Sequence, residues 1–188
     1  PFRETIQTIS QICLAKSSNK HNRLYVNAEP LNDDTLALLD DKIITIRSDI
    51  KERVIKLTTC NWDKEDVLKL WSIGDFDSNV FVDKSKGLQY LTDIKDSVMN
   101  SFQDTILEGP LCGESIRGVR FNLHDAKTHS DSVHRGYPQI GPATRRVMFA
   151  SMLSAQPRLM EPVFLCVISC PSDMSGKIYN IMSRRRGT

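Results

Sequence analysis

No run in the 188 residues approaches the roughly eighteen consecutive apolar residues that a membrane-crossing helix needs, and no secretory leader is expected. A soluble, cytoplasmic protein with no membrane partner is therefore expected. The phosphate-cradling pattern Gly-x-x-x-x-Gly-Lys-Ser/Thr is missing, which excludes nucleotide hydrolysis of the usual phosphate-loop kind. Neither Cys-x-x-Cys nor His-Glu-x-x-His accompanies the histidines, so a zinc site lacks its ligands. The strained Gly-x-Ser-x-Gly turn of a hydrolase nucleophile is absent too. Asp33, Asp34, Asp40 and Asp41 lack the Asp-x-Asp-x-Asp-Gly spacing and distal glutamate of a calcium loop, and read as helix-end and surface charges. The cysteines, Cys13, Cys60, Cys112, Cys166 and Cys170, are odd in number and follow no framework spacing, the pattern of reduced thiols acting as small buried side chains. No catalytic, metal or cofactor site is expected in this chain.

Apolar residues make up 40% of the chain and charged residues 26%, an ordinary globular balance. The net charge of +2 hides an uneven distribution. Residues 1–27 carry four bases and one acid, residues 28–108 ten bases and seventeen acids, and residues 109–188 eleven bases and five acids. If the two basic ends meet in space they form a surface suited to phosphate, with the acidic middle turned away.

Ile12 to Lys16 and Arg23 to Ala28 read as two strands joined by the polar connection Ser17–Asn22. From Leu31 to Trp71 the pattern turns helical, with Ser48 expected to cap one helix and Asn61 or Asp63 a second that carries Val67, Leu70 and Trp71. Trp62 and Trp71 read as packing residues. Asn79 to Asp83 is a short strand. Leu88, Leu91, Ile94, Val98 and Phe102 then recur at helical steps up to the stop at Gly109-Pro110. Val119, Phe121 and Leu123 alternate with polar residues, giving a strand over Ile116 to Ala126 with one face buried. Pro142 suits the first position of a helix whose stripe is Val147, Met148, Ser151, Met152 and Ala155. Pro162 to Cys170 reads as an apolar strand and Ser172 to Arg186 as a helix. Strands with helices laid on one face imply an α+β protein, a two-layer sandwich. One strand and one helix after Pro162 cannot bury a core, so 162–188 is expected to be a truncated second unit.

Between the strand ending near His124 and the helix after Pro142 lies a polar loop holding His124, His129 and His134. A loop fixed at both ends by packed elements is a favoured place for function. From the residues alone a plain solvated loop is the simplest reading, ahead of a metal site or an acid/base role around Asp131 and His134.

The run Asp131-Ser-Val-His134-Arg135-Gly136, with Gln139-Ile140, Pro142 and Arg145-Arg146, resembles the modified-histidine loop of the eukaryotic and archaeal translation elongation factor 2 family. The likeness extends in order through Glu4-Thr5-Ile6, the stretch from Ile12 to Leu31 containing Ser-Asn-Lys-His-Asn-Arg-Leu-Tyr, Lys95-Asp-Ser-Val, Glu108-Gly-Pro-Leu-Cys, Ile116-Arg-Gly-Val-Arg-Phe, Pro157-Arg-Leu-Met-Glu-Pro and Ser183-Arg-Arg-Arg-Gly. It is weakest between Asn32 and Asn79. The resemblance implies that residues 1–161 form the family's fourth domain, a two-layer α/β sandwich of ribosomal-protein-like fold, and 162–188 the start of its fifth. It implies a ribosome-binding role in GTP-dependent translocation, with GTP and magnesium held in a G domain outside this chain. The implied RNA contacts are Asn19, Lys20, His21, Arg23, Asp131, His134, Arg135 and Gly136, at the small-subunit decoding site with tRNA and mRNA. His134 takes the diphthamide position, which brings diphthamide-synthesis enzymes and ADP-ribosylating toxins in as further partners. Tyr137-Pro138 stand where the family has glycines, and Gly141 where it has isoleucine, so a stiffer loop is expected. A spliceosomal or a ribosome-assembly GTPase of the same superfamily is the alternative; the former matches less well at Ser18–Arg23 and at His129–His134.

Overall fold

The computed structural model describes residues 1–187. Seven strands and six α-helices follow in this order among the described residues: β1 (Arg3–Ile6), β2 (Cys13–Lys16), β3 (Arg23–Pro30), α1 (Asp33–Asp40), α2 (Ile50–Thr59), α3 (Lys64–Leu68), β4 (Leu70–Ile73), β5 (Val80–Asp83), α4 (Leu91–Thr105), β6 (Val119–Lys127), α5 (Tyr137–Leu153), β7 (Pro157–Met160) and α6 (Ser175–Arg184). The main sheet runs β2-β3-β6-β5-β4, and β1 pairs with β7 in a separate ribbon. β5 and β6 are parallel, joined by the α4 crossover, while the other pairs are antiparallel. The fold is the α+β sandwich that the sequence implies.

One face of the sheet is covered by α4 and α5. Leu24, Val26, Ala28, Phe81, Phe121 and Leu123 from the strands meet Ile94, Val98 and Phe102 of α4 and Ile140, Val147, Met148 and Met152 of α5, all buried. Phe102 stands edge-on to both Phe81 and Phe121, with ring centroids 5.7 and 6.3 Å away. On the opposite face, over β4 and β5 only, α1 to α3 build a smaller core from Leu39, Ile44, Leu57, Trp62, Val67, Val80 and Val82. β4 and β5 are consequently buried on both sides. The back of β2, β3 and the end of β6 has no such cover of helices.

The register of β6 slips between Tyr25 and Val26, which pair with Asp125 and Leu123 respectively and leave His124 as the extra residue. Side-chain direction alternates along a strand, so without this bulge Asp125 would point into the core. With it, Ala126 returns to the buried face opposite Leu24.

Several boundaries differ from the sequence reading. Leu70 and Trp71 lie in β4, because apolar steps of three and four also satisfy a buried strand after a five-residue helix. Asp49 caps α2, accepting from the Lys51 amide at 2.6 Å, while Ser48 Oγ accepts from Thr45 N. α4 ends at Thr105, short of Gly109. α5 starts at Tyr137 with Pro138 in its first turn. Pro142 therefore stands inside the helix, on an exposed side where the missing N–H leaves only the first-turn carbonyl of Pro138 without its helical bond. Residues 162–170 form no strand: among the described residues none pairs with them, and Val163, Phe164, Leu165 and Val167 are almost fully exposed. The thiols also divide. Cys13 and Cys60 are buried, but Cys112, Cys166 and Cys170 are exposed, lying in segments that no core covers.

His124, on the bulge, offers a direct check of burial. Its Nε2 lies 2.9 Å from Asn27 Oδ1, and burial, then the neighbouring Lys84 ammonium, holds the imidazole below its ordinary value of 6.5. The unfolded chain therefore takes up a proton at a pH where the folded chain does not. The resulting stabilisation is full above about pH 6.5 and is lost as the pH falls through that value toward the depressed one. Urea midpoints measured from pH 7.5 down to 5.0 should fall more steeply for the parent chain than for His124→Asn; parallel profiles would show that His124 contributes nothing.

Candidate nucleic-acid interface

The connection between β2 and β3, Ser17 to Asn22, and the segment from Thr128 to Gly136 emerge at the same end of the sheet, because Arg23 and Lys127 are register partners where both strands begin or end. The first loop closes on itself: Ser17 N donates to Asn22 O at 2.9 Å and Lys20 N to Ser17 O at 2.8 Å. Lys20 takes a left-handed backbone, φ 63°, which presents its ammonium outward at the turn.

Asn22 ties the two loops together from a fully buried position. Its Nδ2 donates to His134 O at 2.7 Å, its Oδ1 accepts from His129 N at 3.0 Å, and its own N–H donates to Ser17 Oγ. Asn19 Nδ2 donates to the same His134 carbonyl at 2.9 Å, and Asn19 N donates to Gln139 Oε1 at 3.0 Å. The carbonyl of His134 thus receives two side-chain amides while its imidazole stays on the outer side.

Arg135 fixes the second loop from beneath. Its Nη1 donates to the carbonyls of His129 and Ser130 at 2.9 and 2.6 Å, and its Nε donates to Asp93 Oδ2 at 3.1 Å, with Nη2 on the same oxygen. The guanidinium lies over the Tyr90 ring, 4.3 Å from the centroid. Tyr90 is the residue before α4 and has φ 59°, a conformation that β-carbon-bearing residues seldom adopt. These bonds order the chain as a 3-10 turn over Ser132–Arg135, opened by Asp131, whose carboxylate accepts from Val133 N at 3.1 Å.

Three imidazoles gather on this platform. The ring centroids of His21 and His129 are 4.9 Å apart, His129 and His134 4.7 Å, and His21 and His134 5.3 Å. Asp131 N donates to His129 Nδ1 at 3.0 Å, so the neutral ring carries its proton on Nε2. Coordination through Nε2 would need a proton on Nδ1, where the backbone N–H already points. Among the described residues no group of three histidine, cysteine or carboxylate side chains has the geometry to hold a metal ion. The tip offers a cation and imidazole edges to a polar partner.

Of the residues singled out from the sequence, Lys20, His21, Asp131 and His134 lie at this end with Lys20, His21 and Asp131 exposed and His134 half-buried. Arg135 corrects the sequence reading. It is buried, its guanidinium is consumed within the protein, and it positions the loop instead of reaching outward. Asn19 likewise acts as a clamp. Gly136, φ −68° and ψ 169°, caps α5 in an ordinary extended conformation. Arg23 stands below the tip in β3, and the most exposed apolar side chain of the turn is Val133, so His134 is beside the apex and not on it. Sequence reasoning missed the supporting residues Asn22, Ser17, Gln139, Asp93 and Tyr90. Their only advance signal is that buried loop carbonyls require donors.

The unusual residues at the start of α5 fit each other. A Cβ on Gly141 would fall 3.1 Å from two atoms of the Tyr137 ring. The tyrosine thus occupies the space an isoleucine side chain at 141 would need, and its hydroxyl donates to Asp104 Oδ2 at 3.3 Å.

A family model described as elongation factor G, domain IV, matches residues 44–156, a span that takes in β4 to α5 and the whole histidine turn. With the α+β sandwich and the paired loops at one end of its sheet, the chain belongs to the elongation factor G domain IV family, the ribosome-binding domain of translocation factors.

Proposed function

We propose that this chain is the decoding-site part of an elongation factor 2-type translocase, promoting GTP-dependent movement of tRNA and mRNA with its two loops against the codon–anticodon RNA. The observation that carries this reading is the gathering of Lys20, His21 and His134 on one rigid platform, although 113 positions separate His21 from His134. Every codon must pass such a tip, so sequence readout is of no use there. A-form RNA presents ribose hydroxyls and phosphates along a shallow minor groove, and short donors on a fixed backbone match that surface.

In this reading His134 carries diphthamide, placed by the diphthamide-synthesis enzymes and open to ADP-ribosylating toxins. The modification adds a fixed cation to a ring whose backbone is held by Asn19 and Asn22. Residues 1–161 are domain IV, and 162–188 open domain V, whose remaining residues would cover Val163, Phe164, Leu165 and Val167. The chain itself neither binds nor hydrolyses GTP; nucleotide and magnesium belong to the G domain of a cytoplasmic parent factor.

Two measurements test the proposal. In the full-length factor, Lys20→Ala should slow translocation about tenfold or more while GTP turnover changes less than about twofold, since removing about 1.4 kcal/mol of attraction to RNA is tenfold in rate. Equal loss of both would point to a folding defect instead, and an unchanged translocation rate would remove the tip from translocation. Intact mass and peptide mapping of the native protein across residues 121–145 should place the modification on His134; its presence on His124 or His129 would overturn the assignment. Recovery with pre-ribosomes or small nuclear RNA instead of elongating ribosomes would favour the superfamily alternatives.

A further inference from the structure

Below the tip, four cations line up across the open back of the sheet and its edge. Lys16 of β2 is the register partner of Arg23 of β3, and Arg23 is the register partner of Lys127 of β6. Partners in an antiparallel ladder share a face, so the three side chains stand side by side on the side away from α4 and α5. Their strand neighbours Ala15, Leu24 and Ala126 are buried on the other side, and Lys16 and Lys127 are exposed. Arg146 of α5 extends the line at the edge: its Nη2 donates to the Lys16 carbonyl at 2.6 Å, and its side chain is exposed. None of the four makes an ion pair among the described residues, although nine such pairs occur elsewhere in them. The nearest carboxylate on this face is Asp125, two pairing steps further down, opposite Tyr25.

Like charges placed directly opposite on neighbouring strands destabilise a sheet. Two consecutive like pairs, with a fourth cation at the edge, are an arrangement that an anionic partner would relieve. The two basic ends of the chain meet here: Lys16 and Arg23 come from the first 27 residues, and Lys127 and Arg146 from the last 80. We propose that Arg146, Lys16, Arg23 and Lys127 form a phosphate-binding row for the ribose-phosphate backbone of an RNA strand that runs from the tip down the open sheet face. This rests on the RNA-facing role of the tip. The row begins at the bases of both loops, since Lys16 and Arg23 flank Ser17–Asn22 and Lys127 lies two residues before His129. Strands stand about 4.8 Å apart, so three adjacent strands span roughly 10 Å, within the reach of lysine and arginine side chains to two successive phosphates about 6 Å apart.

The test is binding of a short A-form RNA duplex to this chain over a range of salt, for the parent chain, for a row variant (K16Q, R23Q, K127Q and R146Q together) and for a tip variant (K20A and H21A together). The row variant should bind about 100-fold more weakly at low salt. The slope of log affinity against log salt should drop in magnitude by about 1.5, since each of the two phosphates no longer neutralised removes about 0.7 to 0.9 from it. Its thermal midpoint should equal or exceed that of the parent at low salt, because the repulsion is gone; this separates weakened binding from failed folding. An unchanged slope in a folded row variant, with binding abolished in the tip variant, overturns the row and leaves the tip reading standing. Failure of the parent chain to bind the duplex, or binding that neither variant weakens, overturns both.

Discussion

Glu4→Ala should lower the unfolding free energy by about 3 to 5 kcal/mol, because it strips three backbone donors of a charged acceptor inside the protein. The Glu4 side chain is fully buried. Its Oε2 accepts from Leu111 N at 2.7 Å, and its Oε1 accepts from Cys112 N at 2.8 Å and Glu114 N at 3.1 Å. Among the described residues no cation pairs with it; the amides alone hold the charge. The loop is built to fit. Gly113 takes φ 76°, and a Cβ on Gly109 would lie 2.3 Å from the Glu4 carboxylate, so Gly109 is the residue that lets the side chain in. Glu4 also joins the ends of the fold through its backbone, donating to Ser115 O and accepting from Arg117 N. Urea unfolding followed by the fluorescence of Trp62 and Trp71, both buried, measures the loss. Glu4→Gln keeps one acceptor and turns an amide donor toward the remaining N–H groups, so it should cost about half as much. A loss below about 1 kcal/mol for the alanine variant would mean that the loop finds its bonds elsewhere. Glu4 lies near the Val119 end of β6 and the histidine turn at the Lys127 end, roughly 25 Å away at about 3.3 Å per strand residue, so the two sites should respond separately.

What the sequence disclosed and what it concealed divide along the range of the interactions. The stripe Ile94, Val98, Phe102 in α4 and the alternation Val119, Phe121, Leu123 in β6 are local periodicities, and each forms the expected element. The hairpin around Ser17–Asn22 is local as well. Ambiguity entered where one pattern served two structures: Val67, Leu70 and Trp71 suit a helix face, yet the chain leaves the helix at Leu68 and buries both sides of β4. The apolar run after Pro162 has strand composition but no edge to pair with among the described residues, and propensity cannot supply a partner. At the tip, the histidines and Lys20 were legible as loop residues. Arg135 was not, since a charged residue in a polar loop reads as solvated, and its burial depends on Asp93, 42 positions away, and on a left-handed Tyr90.

The same distinction makes Asn22 the more telling residue to change at the tip. Asn22→Ala removes the acceptor for His129 N and one of two donors to His134 O from a fully buried place, and takes from Ser17 Oγ the side-chain amide, leaving it the backbone N–H of residue 22. The expected cost is about 2 kcal/mol, concentrated in the two loops, because the core below them is untouched. Amide exchange of His129 should quicken by about 30-fold, the factor that 2 kcal/mol commands, while the amides of β6 from Val119 to Leu123 keep their protection. Asn19→Ala, which removes the other donor to His134 O, should cost less, since Asn19 is only half-buried. Both side chains serve one carbonyl, so the two losses should not add: with both removed, the carbonyl turns to water and the second deletion costs less than it does alone. Additive losses would show that the asparagines act independently. Global loss of protection in Asn22→Ala would show that the clamp belongs to the stability of the whole domain and not to the setting of His134.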